Sequence, residues 1–480
     1  MDFLKYFQEK REKNRIQIRS EKNKSLFNSF RKTTISFIKP DTRQDFNSLI
    51  QIQDLKMAIF FDNNENIEKV LFSIRDGLLS FCDDENGNRL DFSQIINDGL
   101  LNVLSEILEN KNRKMSQEVL ELSLWIISII AAGSLENCQL ILNLGLIENL
   151  LGFIKLRKFR EMRYSFITLG NMAVFPEIRS YILSLEVVKE MLELFQEEEI
   201  LNSNKDIKAM LFFVKNMSVH DANYDCYNLN YLISTVASLM DLEDESIFDV
   251  CLTILALMGQ NTNDFYITEL IKNQYFIENL IKSVNSENIE HIIKSLNIIA
   301  NLSLGNNEQT IQLAKHKILD YVKEYFDSPN PLLKKTSIII FGNFLDGDTN
   351  HFTYCYEFGI LKKLLNTLKS EGDPEMQKEI LQCFVNSTFS ADLSQITQLV
   401  EMDLICVFFR FLIELAHDTL FMIEILSGID NILKVYNDPQ INDVDLIQNI
   451  KWMTNLQNHE NDNVRFFSWK IGQKFVNCVN

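Results

Sequence analysis

The stretches SFITLGNMAVF, residues 165–175, and MLFFVKNMSVH, residues 210–220, decide the fold of this chain. Each places apolar residues at helical spacing around one asparagine and continues into a short turn. The pattern returns in SLNIIANLSLG, IIIFGNFLDG and QCFVNSTFS, which begin at residues 295, 338 and 382, so it recurs about every 42 residues. The positions in register are Ile129, Asn171, Asn216, Ala256, Asn301, Asn343, Asn386 and Asn431.

A second amphipathic helix is predicted before most of these segments, as in NLGLIENLLGFI, residues 143–154. Each such helix follows a predicted break in the chain, which is marked by Gly99, Gly145, Gly359 or Asp403. Each repeat is therefore a short helix, a turn and two longer helices, and it buries its apolar faces only by stacking on its neighbours. The sequence predicts an all-α solenoid.

Composition and charge agree with an intracellular helical protein. The chain has 480 residues and 46% hydrophobic content but only 15 Gly and 6 Pro, which argues against a β-sandwich. Its eight cysteines stand singly, as expected of reduced core thiols in the cytosol or nucleus. Residues 1–32 carry ten Lys/Arg against four Asp/Glu, so a basic arm precedes an acidic body, and the total charge is −19. Such a body repels nucleic acid and attracts cationic partners.

The recurring asparagine is the strongest functional signal. Its side chain has an amide donor and a carbonyl acceptor, so it can pair with the N–H and C=O groups of an extended peptide. One asparagine on a helix is usually just solvated, but six of eight positions in register predict a ladder along one concave surface. Since no phosphate loop, HExxH, GxSxG or Cys/His metal spacing occurs, we predict binding, with no catalysis, cofactor or metal.

Three segments resemble the importin alpha family of nuclear transport adaptors. LQNHENDNV, residues 456–464, is similar to the sequence that opens that family's last helix, and residues 377–400 and 305–313 are similar to its eighth and sixth repeats. The resemblance spans about residues 65–475. It implies a right-handed superhelical solenoid of about ten armadillo repeats over residues 46–480, with a flexible basic arm at residues 1–45.

The arm resembles the family's importin-beta-binding segment, although basic arms also bind RNA or membranes. It contains a short apolar and basic core, Ile16-Gln17-Ile18-Arg19, between basic clusters. The residues that the resemblance assigns to importin beta are Arg11, Lys13, Arg15, Ile16, Ile18, Arg19, Lys22 and Lys24.

In this family a tryptophan four residues before the asparagine stacks on the stems of cargo lysines, while acidic groups take the charged heads. No repeat here keeps the full pair: Trp125 precedes Ile129, and Ile167 precedes Asn171. The alternative for Trp125, which is flanked by Ile126, Ile127, Ile129 and Ile130, is a core residue. Because Glu379 persists near Asn386, the sequence favours that end for basic peptides. The peptide-binding residues implied by the resemblance are Trp125, Gly133, Asn171, Phe212, Asn216, Asn301, Asn343, Glu379 and Asn386.

The expected function is that of a nuclear import adaptor in the cytoplasm and nucleus. Cargo proteins with basic segments would bind the concave surface, importin beta would bind the arm, and an export receptor would meet the last repeats. No direct contact with nucleic acid or membrane is expected. The alternative is an armadillo scaffold for protein–protein interactions outside classical import, and a third hypothesis gives the arm a regulatory or nucleic-acid-tethering role.

Overall fold

The described part of the chain consists of helices joined by short turns and contains no strand, which confirms the all-α prediction. It divides into two compact units, residues 1–279 and residues 280–480. The computed structural model describes residues 48–80, 92–109, 115–218, 226–260, 264–414, 417–435 and 453–479.

In the first unit the helices follow a short, medium, long order in most repeats. The helix Gln274–Val284 contains the boundary between residues 279 and 280 that divides the units. The helices are α1 (Ser48–Phe60), α2 (Asn64–Ser80), α3 (Ser93–Asn97), α4 (Leu100–Glu109), α5 (Gln117–Ala131), α6 (Leu135–Asn143), α7 (Leu146–Lys155), α8 (Phe159–Met172), α9 (Pro176–Ser184), α10 (Val187–Leu194), α11 (Glu198–Leu201), α12 (Asn204–Met217), α13 (Cys226–Leu239), α14 (Glu245–Gly259), α15 (Asp264–Lys272) and α16 (Gln274–Val284).

The second unit repeats this order, with a 3₁₀ turn at Tyr325–Asp327. Its helices are α17 (Ile289–Leu302), α18 (Asn307–Lys315), α19 (Ile318–Glu324), α20 (Pro331–Leu345), α21 (Thr349–Glu357), α22 (Ile360–Ser370), α23 (Pro374–Ser390), α24 (Leu393–Glu401), α25 (Leu404–Glu414), α26 (Thr419–Val435) and α27 (Asp462–Val479).

The long third helix of each repeat packs against the third helix of the next one within its unit. In the first unit α2, α5, α8, α12 and α14 form such a row, and in the second unit α17, α20, α23, α26 and α27 do so. Most residues of the helices inside each row are buried, because a third helix covers them on either side and the shorter helices cover them as well. Three helices per repeat of about 42 residues is the armadillo-type arrangement.

Side chains in the turns fix where the helices begin. Asp244, Asn288 and Asn330 cap the third helices α14, α17 and α20 by accepting hydrogen bonds from first-turn N–H groups. Sharp turns in the left-handed conformation separate the two shorter helices. The four breaks predicted from sequence all have positive φ, and so do Glu186 and Lys317, which occupy the same place without being glycine. The residues with this conformation at predicted breaks are Gly99, Gly145, Gly359 and Asp403.

Among the described helices, no single one is long and apolar enough to cross a membrane. The bent pair α6 and α7, with 75° between its helices, meets the length and composition test only when the two are taken together.

Candidate functional site

Within each unit the recurring asparagines lie on one face of the third helices, which we call the ladder surface of that unit. The ladder surface of the first unit comprises positions 129, 171, 216 and 256, and that of the second unit comprises positions 301, 343, 386 and 431. In the first unit, Asn171 Nδ2 donates to the carbonyl oxygen of Ser128 at 2.8 Å, and Asn216 Nδ2 donates to that of Gly170 at 2.9 Å. Each acceptor is the residue just before the ladder position of the preceding repeat.

The second unit repeats this contact with longer distances. Asn343 Nδ2 lies 3.4 Å from the Ala300 carbonyl oxygen and 3.0 Å from Ser303 Oγ. Asn386 Nδ2 donates to the Gly342 carbonyl at 3.2 Å. The last four carbonyls of a helix have no partner within it, and these acceptors lie in or beside that last turn. The asparagine amides therefore add a hydrogen bond at the end of the preceding third helix and tie neighbouring repeats together. Two of these carbonyls also have a local donor, the Asp346 N–H for Gly342 and the Ser303 hydroxyl for Ala300.

The Oδ1 atoms of the ladder asparagines fall into two groups, with Asn301 as the exception. In the described part of the chain, no donor reaches Oδ1 of Asn171, Asn216 or Asn343, and these oxygens are not sealed from solvent. By contrast, Asn386 Oδ1 accepts from Gln382 Nε2 at 2.9 Å, and Asn431 Oδ1 accepts from a lysine at 3.0 Å. The first group offers a ligand an oxygen that accepts no hydrogen bond, whereas each oxygen of the second group already uses one of its two acceptor positions.

Asn301 belongs to neither group. Its side chain is 1% exposed, and its buried Oδ1 has no hydrogen-bond partner. At this position the amide is part of the packed interior.

Trp125 is half-buried and already contacts side chains of both neighbouring repeats. The Arg75 guanidinium carbon lies 4.6 Å from the centre of the indole, and the Tyr164 ring stacks on it at 5.5 Å between centroids. Burial, reinforced by the Glu121 charge, raises the pKa of Tyr164 to about 12, so its phenol stays neutral. The aromatic surface predicted to take a cargo lysine is therefore occupied by the chain's own arginine.

Phe212 and Gly133 mark points of close packing. The half-buried Phe212 ring covers Gly170, where an added Cβ would lie 2.8 Å from the ring. At Gly133 an added Cβ would lie 2.4 Å from Asn137 Nδ2 and 3.1 Å from the Ile130 carbonyl. A larger residue at position 133 would therefore have to displace the Asn137 side chain in the turn that follows α5.

Glu379, the acidic residue assigned to cargo, already pairs with Lys335 Nζ at 3.2 Å. Lys335 stands eight residues before the ladder position of its helix. The same offset holds for three other cations that pair with an acid of the following repeat. These pairs are Arg163–Asp206 at 2.7 Å, Lys208–Asp244 at 3.0 Å and Lys378–Asp418 at 3.0 Å.

The pairing shifts the titration of these groups. Hydrogen bonds from Ser246 and Lys208 lower the pKa of Asp244. The Asp418 partner raises the pKa of Lys378, and the Phe421 N–H together with Lys378 lowers the pKa of Asp418. The four acids of these pairs are thus bound by cations of the same chain. A signal for this pairing is present in the sequence, a Lys or Arg eight residues before four of the asparagines.

The segment LQNHENDNV forms the entry to the last helix. Asn461 Oδ1 accepts from the backbone N–H groups of Asn463 and Val464, and the Arg465 guanidinium donates to the His459 carbonyl at 2.7 Å. These contacts cap α27. The predicted importin-beta-binding residues of the arm lie outside the described residues.

No protein family model and no curated protein matches the chain. Among solved structures, an engineered protein from the Northeast Structural Genomics Consortium aligns with 90% of this chain and 99% of its own, with a TM-score of 0.68 and 16% identity. At that identity the likeness shows a common fold alone. A designed armadillo repeat protein in complex with the peptide (KR)4 aligns with 51% of this chain and 99% of its own at 21% identity and a TM-score of 0.45. Another covers 59% of this chain and 98% of its own at 18% identity, with a TM-score of 0.35, and both scores are too low to support an assignment.

Proposed function

We propose that this chain is a helical-repeat scaffold that holds an extended segment of a partner protein against its ladder surface, and that it works by binding rather than by catalysis. The observation that supports this is the state of the asparagine oxygens. Asn171, Asn216 and Asn343 are held in place by their own amides and keep Oδ1 available.

A fixed acceptor is well suited to binding an extended backbone. Because each amide is already bound to the preceding helix, the oxygen loses little freedom when a peptide N–H donates to it. A peptide that runs along the first unit would meet such an acceptor at Asn171 and again at Asn216. Backbone contacts of this kind supply affinity without depending on the side chains of the ligand.

The test compares two double variants that remove the same side-chain groups. N171A/N216A deletes two available oxygens together with two repeat-linking amides. N386A/N431A deletes two amides whose oxygens are already engaged, so it is the matched control for stability. We expect N171A/N216A to lower the affinity for a fluorescent basic peptide and for its neutral glutamine counterpart about tenfold. N386A/N431A should change both affinities less than twofold.

Equal weakening by both double variants would contradict the proposal, since it would trace the loss to damaged repeat packing. Thermal unfolding of both proteins, followed by circular dichroism, checks that their stabilities are comparable. This order of effects reverses the one expected from the sequence, because Asn386 and Glu379 are engaged by Gln382 and Lys335.

A finer proposal is a nuclear import adaptor that moves between cytoplasm and nucleus. It is supported by the arm, where Ile16, Ile18 and Arg19 lie between basic clusters, and by the similarity of residues 456–464 to the opening of the family's last helix. In this proposal importin beta binds the arm, basic cargo binds the ladder surface, and an export receptor meets the last repeats. The scaffold outside classical import is the competing function.

Binding to importin beta separates these two functions. The adaptor requires full-length protein to bind importin beta in calorimetry and requires a deletion of residues 1–40 to abolish that binding. Failure of the full-length chain to bind, or binding that survives the deletion, leaves only the scaffold.

A further inference from the structure

Three lysines converge on the buried aspartate that precedes Asn431, the last ladder position of the second unit. The Asp430 side chain is 1% exposed, and its Oδ2 lies 2.7 Å from Lys470 Nζ and 3.1 Å from Lys434 Nζ. Its Oδ1 lies 3.4 Å from Lys474 Nζ. The three lysine side chains remain 29% to 43% exposed, so solvent reaches each of them. We call this group the lysine cluster.

The lysine cluster replaces the asparagine contact at the end of the ladder. Lys474 Nζ lies 3.5 Å from the Asp430 carbonyl oxygen, 44 residues away along the chain. Asn386 reaches the Gly342 carbonyl over the same separation of 44 residues. Lys474 therefore stands where the last third helix would carry its asparagine, and Lys470 stands four residues earlier, at the tryptophan position of the pattern. The ladder changes from neutral amides to cations at this point.

The charges of the lysine cluster do not balance. Among the described residues, three ammonium groups share one carboxylate, which leaves about two positive charges in a chain whose net charge is −19. Burial alone would raise the pKa of Asp430, but the hydrogen bond from Lys470 and the charges of Lys434 and Lys474 outweigh it and lower that pKa. Burial and the two neighbouring lysines lower the pKa of Lys474. A further anion would relieve this repulsion.

The surroundings favour a protein ligand. The exposed Phe466 ring lies one helical turn before Lys470, whose ammonium is 5.9 Å from the ring centre. An apolar surface beside cations fits a segment that carries both carboxylates and carbon-rich side chains.

We propose that the lysine cluster binds the carboxylate side chains of an acidic segment of a partner protein. The proposal rests on the proposed function, because it assigns a ligand chemistry to one end of the ladder surface. Each lysine has three N–H donors, and Asp430 and Asn431 use only part of this capacity. The segment's carboxylates would take the remaining donors.

The experiment uses the full chain and a fluorescent peptide of alternating glutamate and glycine, with the glutamine version as control. K470Q/K474Q should weaken the glutamate peptide about tenfold, the loss expected for two partly exposed ion pairs. K362Q/K369Q removes the same charge from the exposed side of α22 and should change the affinity less than twofold. D430N should strengthen binding several-fold, because the three lysines lose their internal partner.

D430N provides a second readout if K470Q/K474Q is poorly folded. A gain in affinity for the glutamate peptide cannot result from misfolding. The proposal is wrong if the glutamine peptide binds equally well, if folded K470Q/K474Q keeps wild-type affinity, or if D430N weakens binding. It is also wrong if the glutamate peptide binds only after Asp438, Asp443 and Asp445, which lie outside the described residues, are changed to asparagine. One result would support the lysine cluster and overturn the proposed function. In it, K470Q/K474Q loses the glutamate peptide, while N171A/N216A binds the basic peptide and its glutamine counterpart as tightly as the wild type.

Discussion

Replacing Gly170 with alanine should separate two third helices at the point where a ladder asparagine joins them. The added Cβ would lie 2.8 and 2.9 Å from two atoms of the Phe212 ring and 3.2 Å from the Phe213 Cα. Phe212 can turn aside, but the backbone at Phe213 moves only if α12 moves away from α8. That movement stretches the 2.9 Å bond from Asn216 Nδ2 to the Gly170 carbonyl.

The energies have opposing signs, and their sum is destabilising. Overpacking a dense interior by one methyl group costs about 1–3 kcal/mol. Weakening the asparagine bond costs about 1 kcal/mol, while alanine's better helix propensity returns about 1 kcal/mol. G170A should therefore lower the free energy of unfolding by about 1–3 kcal/mol. Gly152 in α7 has nothing within 4 Å of its added Cβ, so the matched variant G152A should raise it by about 0.5–1 kcal/mol.

Hydrogen exchange is the suitable assay, because repeat arrays unfold in parts and a single melting point averages over them. G170A should speed the exchange of amides in α8 and α12, whereas G152A should slow it in α7. Unchanged or slower exchange in G170A would refute the close-packing argument.

Three further predictions concern charge. Burial lowers the pKa of His351 from 6.5, so the unfolded chain takes up a proton that the folded chain resists, and stability should fall as pH drops from 7 to 5. In H351Q the free energy of unfolding, measured by urea titration, should fall less between pH 7 and 5. Glutamine suits this position, because Gln309 and Gln395 make the same capping contact at the start of α18 and α24. R75Q should expose the indole face that Arg75 covers and raise the affinity for a basic peptide several-fold in fluorescence titrations. Unchanged affinity would show that this face is not a ligand site. K335Q should likewise strengthen that peptide by releasing its glutamate partner, and G152A serves as a control in both titrations.

The repeat pattern could be predicted from sequence because it depends on apolar spacing and on turn residues. Gly145 and Gly359 mark left-handed turns through a property of glycine itself, so the breaks were found. Glu186 and Lys317 adopt the same conformation under the constraint of the packed helices around them, and no local signal marks them.

The sequence predicts the ladder positions, but it does not predict that their amide groups donate to the preceding repeat. Spacing indicates that Asn171 and Asn216 share a face, yet it does not indicate that each amide nitrogen is directed at the preceding repeat. The partners of Trp125 and Glu379 were also beyond prediction. Arg75 and Lys335 lie about one repeat away in sequence, and only the packing of the third helices shows that they are in contact.

The link from each ladder amide to the preceding helix has a direction. In every case the carbonyl is synthesised first and its asparagine follows 43 to 46 residues later. In a growing chain, the amide that links a third helix to the next repeat is therefore made only after that helix. Since the amino-terminal part of a chain folds first during synthesis, each new repeat adds this link to the one made before it. A chain stopped early within either unit would lack the link at its last third helix, whatever its length.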